Sequence, residues 1–233
     1  MRSSNDQSIL KTMLTAALNK TGKRGIYQWI LPTLLGLRQE YLLQMIEFVL
    51  NESMVVVDMG CNVGYLTYPL SLRANAIGLD VDKEKLYSAK ESMRNTDFVC
   101  CDLRNLPLRE SSIDLAVCAS VFEHIENLEQ ALKDIKSVIK KKGILAAGYP
   151  IETRLLEFIV KSFWVSESRI WDQGNKRKTD RLRDPHTHKQ EFSDIRKMLG
   201  KDFVQLRMRK IPVNWLPDSL SIYENVLLLN DRK

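Results

Sequence analysis

The chain has 233 residues, 44% of them hydrophobic and 27% charged, which suits a folded α/β domain with a small appendage and argues against a disordered or fibrous protein. Its formal charge of +6 would suit an anionic partner, but an excess of that size spread over a surface looks the same, so nucleic acid is left open and not favoured. The four cysteines, Cys61, Cys100, Cys101 and Cys118, have no C-x-x-C spacing, which argues against a disulfide framework and a zinc site and makes a reduced, cytoplasmic setting the expectation.

The first 20 residues lack a continuous apolar h-region, and no later stretch reaches ~18 residues without charge, so neither export nor a membrane span is expected. Residues 8–20 and 26–50 carry helical spacing, with Leu34, Leu37, Tyr41, Leu42, Met45, Ile46 and Val49 recurring at threes and fours. They predict an N-terminal helical cap over residues 1–50. From Met54 the texture changes to short apolar runs at 54–57, 75–79, 97–101, 113–119 and 143–148, each followed by a helical pattern. Continuous apolar runs without alternation suit strands covered on both faces, hence a parallel sheet.

In "ENLEQALKDIKSVIKKKG" one helical face carries Leu128, Ala131, Leu132, Ile135, Val138 and Ile139. Asn127 with Gln130 predicts a capping box, Gly143 a helix stop, and Lys140, Lys141 and Lys142 a basic complement to the helix end. Residues 151–185 break the alternation as an insertion, with a helix over about 152–165 and then a charged loop holding Lys176, Arg177, Lys178, Arg181 and Arg183. A helix near 193–199 and strands near 202–210 and 223–229 close the chain, the last two spaced to pair antiparallel.

The stretch "VVVDMGCNVGYLTYPL" ends a strand on Asp58, crosses Gly60 and Gly64 and continues in a helical pattern. Glycine permits close approach and positive φ, and a following helix points N–H groups and its positive end at a ligand, so a nucleotide-like ligand at the sheet's carboxyl edge is expected. A dinucleotide fingerprint from Gly60 would require glycine at Asn62 and Tyr65, and Asp58 sits badly beside a pyrophosphate, which disfavours NAD. S-adenosylmethionine carries an ammonium, a sulfonium and a carboxylate, so acids together with backbone donors suit it.

Here the chain resembles the class I S-adenosylmethionine-dependent methyltransferases, in particular the methyltransferase type 11 group. The family's first motif, roughly D/E-x-G-x-G-x-G, stands as "DMGCNVG", with Asn62 for the middle glycine. Asparagine shares glycine's left-handed backbone most readily among other residues. "AIGLDVDKEKL" resembles the second strand, about 20 residues after the turn, where the resemblance implies that Asp80, with Asp82 a second candidate, binds both ribose hydroxyls. "FVCCDLRNLPLRESSIDLAVCASVFEHI" resembles the third and fourth strands. It implies that Asp102 accepts from the adenine amino group, that the Leu103 N–H donates to the ring above a floor of Val81 and Leu103, and that Ser120 and Val121 face the methionine part.

The likeness covers about residues 50–150, with a looser echo in "HTHKQEFSDIRKML". It implies a Rossmann-like, mostly parallel seven-stranded sheet with an antiparallel C-terminal strand, helices on both faces, and S-adenosylmethionine held by Asp58, Gly60, Cys61, Asn62, Gly64, Asp80, Val81, Asp102, Leu103 and Ser120. Each acid could equally be a strand-end turn residue, and the cysteines small buried hydrophobes.

Methyl transfer would be an in-line attack on the sulfonium methyl, needing a base only where the acceptor must lose a proton. His124, just past the fourth strand, and His188 are the candidates, although His124 could instead cap the next element. His186 and His188 lack a third ligand of suitable spacing, so no metal is expected. Trp29, Phe163, Trp164 and Trp171 would give the acceptor pocket, roofed by the N-terminal helices and the insertion, an apolar wall. That favours a small or amphipathic organic acceptor. "CASVFEH" in place of N/D-P-P-Y/F argues against base N-methylation. An RNA methyltransferase using the basic loop, and a noncatalytic cofactor-binding protein of the same fold, stay open as alternatives, as does the oligomeric state.

Overall fold

The computed structural model describes residues 27–151 and 189–231, with side chains placed from residue 36. Helix α1 (Tyr27–Glu47) precedes β1 (Val55–Met59), α2 (Thr67–Ser71), β2 (Asn75–Asp80), α3 (Lys83–Ser92), β3 (Asp97–Cys100) and β4 (Ile113–Ala119). After a 3-10 turn (Phe122–His124) follow α4 (Leu128–Val138), β5 (Ile139–Pro150), α5 (Phe192–Asp202), β6 (Val204–Ile211), a second 3-10 turn (Asp218–Leu220) and β7 (Tyr223–Leu229). The strands form one sheet in the order β3-β2-β1-β4-β5-β7-β6. Strands β1 to β5 pair parallel, and β7 runs antiparallel to both β5 and β6. This is the expected Rossmann-like sheet with one reversed C-terminal strand.

Strand residues point alternately to opposite faces, so runs that are apolar at every position need cover on both. Val56, Ala76, Leu115, Val117, Ala146 and Leu227 meet Leu42, Met45 and Ile46 of α1 and Leu70 of α2 on one face. On the other, Val57, Leu79, Ala116, Cys118, Leu145 and Val226 meet Leu128, Leu132 and Ile135 of α4 and Ile195 and Leu199 of α5. Each fully buried Leu, Ile or Val contributes roughly 1.5–3 kcal/mol. The two layers fix the strand ends that carry the site.

Two local expectations are corrected at α4. The Asn127 side chain accepts from the Gln130 backbone N–H at 3.3 Å, but the Gln130 amide turns to Asp134 at 2.9 Å, so the cap is one-way. The helix also stops at Val138 and not at Gly143. Ile139 is already extended (φ −75°, ψ 128°) and pairs with Ile113, and pairing resumes only at Leu115 with Ile144. Lys140–Gly143 therefore bulge out of β5. Lys142 turns left-handed (φ 65°), Lys140 pairs with Asp114 at 2.8 Å, and a Cβ on Gly143 would lie 2.9 Å from the Lys140 carbonyl and 3.0 Å from that of Asp114. The lysines decorate a bulge rather than a helix end.

Candidate functional site

The sheet order reverses between β1 and β4, the position where open α/β sheets leave a crevice at their carboxyl ends. The turn after β1 fills this position. Gly60 (φ 76°), Asn62 (φ 54°) and Gly64 (φ 85°) are all left-handed, which a glycine adopts freely and an asparagine more readily than other residues. The Asn62 Oδ1 accepts from the Val63 N–H at 2.8 Å, a local side-chain-to-backbone bond that holds the chain where the motif has its middle glycine. A Cβ on Gly60 would sit 2.4 Å from Val121 Cγ2, and one on Gly64 2.2 Å from Met93 Cε.

The expectation that this turn aims free amides and a helix end at the ligand is corrected. The N–H groups of Gly60 and Cys61 donate to the Leu79 carbonyl at 2.7 and 2.8 Å, and that of Gly64 to the Cys61 carbonyl at 2.8 Å. The Asn62 N–H donates to Asp80 Oδ2 at 2.8 Å. All five amides from 60 to 64 are thus consumed within the protein, and α2, only five residues long, begins at Thr67. What the turn aims at the crevice is a carboxylate: Asp80 also accepts from the Asp82 N–H through Oδ1 at 2.9 Å, so both oxygens are oriented and each keeps a lone pair. Asp82 itself caps α3, accepting from Glu84 and Lys85 N–H groups, and is spent there.

Asp58 is buried and accepts from Thr67 Oγ1 at 2.5 Å. Burial raises its carboxyl to a pKa of about 6, opposed by the Thr67 hydrogen bonds and assisted by the negative charge of Asp80. Cys61 is buried and its thiol held protonated, chiefly by burial and then by Asp58. It is a small apolar filler beneath the turn.

On the β2–β3 side, Val81 is 71% exposed and Leu103 buried, which leaves one apolar surface free beside Asp80. Asp102 stands at the same edge, with its carboxylate gripped by Arg104: Nε lies 3.0 Å from each oxygen and Nη2 2.6 Å from Oδ2. These bonds hold it below the usual carboxylate range.

Beyond β4, Ser120 is left-handed (φ 55°) and meets Arg38 Nη1 at 3.2 Å and the Tyr223 hydroxyl at 2.8 Å. Sequence reasoning missed Arg38, Tyr223 and Thr67. The available signal was a polar Tyr-Glu-Asn head on the otherwise apolar strand "YENVLLL". His124 is exposed at the end of the 3-10 turn, its N–H bonded to the Val121 carbonyl at 3.0 Å. His186, His188, Trp164, Trp171 and Phe163 lie outside the described residues, and the Trp29 side chain does too. The chain re-enters the described structure beside His124, where the Lys189 N–H donates to the Glu123 carbonyl at 2.7 Å.

Fold and turn together define a domain of the class I methyltransferase type. Residues 57–147 match the family model described as a methyltransferase domain. An uncharacterized protein of Methanocaldococcus jannaschii is 32% identical over 107 residues, 46% of this chain and 45% of that one. A ubiquinone biosynthesis O-methyltransferase of Rickettsia prowazekii is 25% identical over 134 residues, 54% of this chain and 51% of its own length. The chain thus spans about half the length of the curated relatives it matches. Among solved structures, magnesium protoporphyrin IX methyltransferase from Synechocystis, with bound SAH, superposes with a TM-score of 0.63 at 16% identity over 98% of this chain and 95% of that one, a likeness of fold.

Proposed function

We propose that the protein is an S-adenosylmethionine-dependent methyltransferase acting on a small or amphipathic organic acceptor. The observation that carries this is Asp80, whose two oxygens are set by backbone N–H groups from Asn62 and Asp82 at the crevice edge, in position to accept from a ribose diol. The exposed Val81 and the buried Leu103 then offer an apolar floor to a purine, and Ser120 borders the methionine part. Asp58 backs the turn from within, Cys61 fills beneath it, and Gly60 and Gly64 let it pack against Val121 and Met93.

The donor supplies an already activated leaving group, and the chain's task is to hold the acceptor atom about 3 Å from the methyl carbon in line with the carbon–sulfur bond. A neutral thioether leaves and needs no acid. His124, exposed on the acceptor side of β4, is the proposed base for a hydroxyl acceptor, with His188 the second candidate. Asp102 could reach an adenine amino group only by sharing oxygens already bonded to Arg104, so its part is the weaker one. The division into an N-terminal cap over 1–50 and a main domain with an insertion at 151–185 is part of the same proposal, as is a cytoplasmic setting. Among the described residues no helix is long and apolar enough to cross a membrane, and all four cysteines are free.

Incubation with methyl-labelled S-adenosylmethionine and fractionated small-molecule extract should transfer label to an organic-soluble product, with Asp80→Ala at background. Label found in RNA, with affinity falling steeply with salt, would support the RNA reading instead. Cofactor binding without transfer to either fraction would support the noncatalytic one.

A further inference from the structure

Asp102, Leu103 and Arg104 open the turn after β3, which closes with the Asn105 N–H donating to the Asp102 carbonyl at 3.0 Å. Asp102 Oδ1 accepts from the Arg104 N–H at 2.9 Å, an Asx turn that fixes the carboxylate. The guanidinium then folds back over it, with Nε bonding both oxygens at 3.0 Å and Nη2 bonding Oδ2 at 2.6 Å. A carboxylate has about four acceptor sites. Here each oxygen takes two bonds from the same arginine, so none is left for the amino group of a base. The Leu103 N–H between these residues, by contrast, makes no hydrogen bond among the described residues. The edge thus offers a purine its donor and withholds its acceptor.

A second anion acts on Arg104. Glu126, two residues past His124, favours the charged guanidinium, and Arg104 favours the charged Glu126 in return. Glu126 is paired with Lys189 at 2.5 Å, and the Gln190 amide donates to the Ile125 and Glu126 carbonyls at 3.0 and 3.1 Å, which holds that stretch where it stands. Charges therefore alternate from Asp102 through Arg104 and Glu126 to Lys189. The first pair is open to exchange, because the Asp102 side chain is 38% and that of Arg104 44% exposed, and ion pairs so exposed hold weakly.

We infer that Arg104 is an internal competitor for the adenine edge of the crevice: in the free chain it occupies the Asp102 carboxylate, and an incoming amino group displaces it toward Glu126. The inference rests on the proposed function, which supplies the adenosyl ligand, and assigns to Arg104 the control of how strongly and how selectively the base is held. An amino base gains Asp102 by ejecting the guanidinium. A keto base has no N–H to put in its place.

Calorimetric titration of the full chain with S-adenosylhomocysteine and with its hypoxanthine analogue, S-inosylhomocysteine, tests this. Arg104→Met keeps the length of the side chain and deletes its donors. It should tighten S-adenosylhomocysteine by about twofold to fivefold and should not tighten S-inosylhomocysteine. In an Asp102→Asn background the same substitution should lose its effect, since the two positions act through one contact. Glu126→Gln removes the destination of the guanidinium and should weaken S-adenosylhomocysteine by about twofold, but not alongside Arg104→Met. Added salt, which screens exposed pairs, should shrink the gap between wild type and Arg104→Met. The inference is overturned if Arg104→Met melts like wild type and binds S-adenosylhomocysteine no more tightly, or tightens both ligands equally, or keeps its effect beside Asp102→Asn. Binding by wild type without an Arg104 effect would overturn this inference alone, whereas failure of wild type to bind S-adenosylhomocysteine would overturn the proposed function with it.

Discussion

At position 62 the backbone is left-handed (φ 54°) and the side chain bonds the next N–H, while its own N–H orients Asp80. A residue with neither glycine's freedom nor asparagine's local hydrogen bond should pay about 1–2 kcal/mol there. Asn62→Ala is therefore expected to lower unfolding stability by that amount in denaturant titrations, and Asn62→Gly to change it by less. Equal losses for both would show that φ is not what position 62 demands.

Asp58 makes a pH-dependent prediction. Its folded pKa of about 6 lies above the ordinary 3.8, so between these values the native state binds more protons than the unfolded one and stability falls as pH rises. The loss begins near the lower value and is complete just above pH 6. Asp58→Asn lacks this dependence, so relative to wild type it should gain about 3 kcal/mol on going from pH 3.5 to pH 7. Guanidinium unfolding at several pH values checks this, and a flat difference would contradict it.

At the scale of elements, α4 shows both what periodicity reveals and where it stops. Leu128, Ala131, Leu132, Ile135 and Val138 are all buried, because threes and fours of apolar residues specify one face whatever it packs against. Ile135→Ala should cost about 2–5 kcal/mol, and Lys133→Ala on the exposed side within about 0.5 kcal/mol, by the same unfolding assay. The following "KKKG" has the composition of a helix stop, but the helix already ends at Val138 and the β-branched Ile139 is extended. Gly143→Ala tests the bulge: a Cβ would crowd Ile139 Cγ2 at 2.7 Å as well as two carbonyls, so a loss of about 1–3 kcal/mol is expected. A solvent-facing helix stop would show little change in packing.

For the whole molecule, the sheet was legible because strand runs such as 113–119 and 143–148 are apolar at nearly every position, a texture that only double cover explains. The three strand-end acids were legible as a set, though not their separate states: Asp58 buried against Thr67, Asp80 presented, Asp102 gripped by Arg104. Arg38 was hidden because helical spacing tells which side of α1 is apolar, not which partner waits 82 residues on at Ser120 or 187 on at Asn225. Such contacts exist only once the sheet brings β4 and β7 together under α1.

The central claim is that the turn from Asp58 to Gly64, with its amides spent internally, presents Asp80 to an adenosine ribose. Calorimetric titration of the purified chain with S-adenosylmethionine and S-adenosylhomocysteine, against NAD and with Asp80→Ala alongside, tests it most directly. The account predicts binding of the first two, none of NAD, and a loss of about tenfold to a hundredfold in the variant. Equal affinity in wild type and Asp80→Ala, or no binding by protein shown free of copurified cofactor, would contradict it.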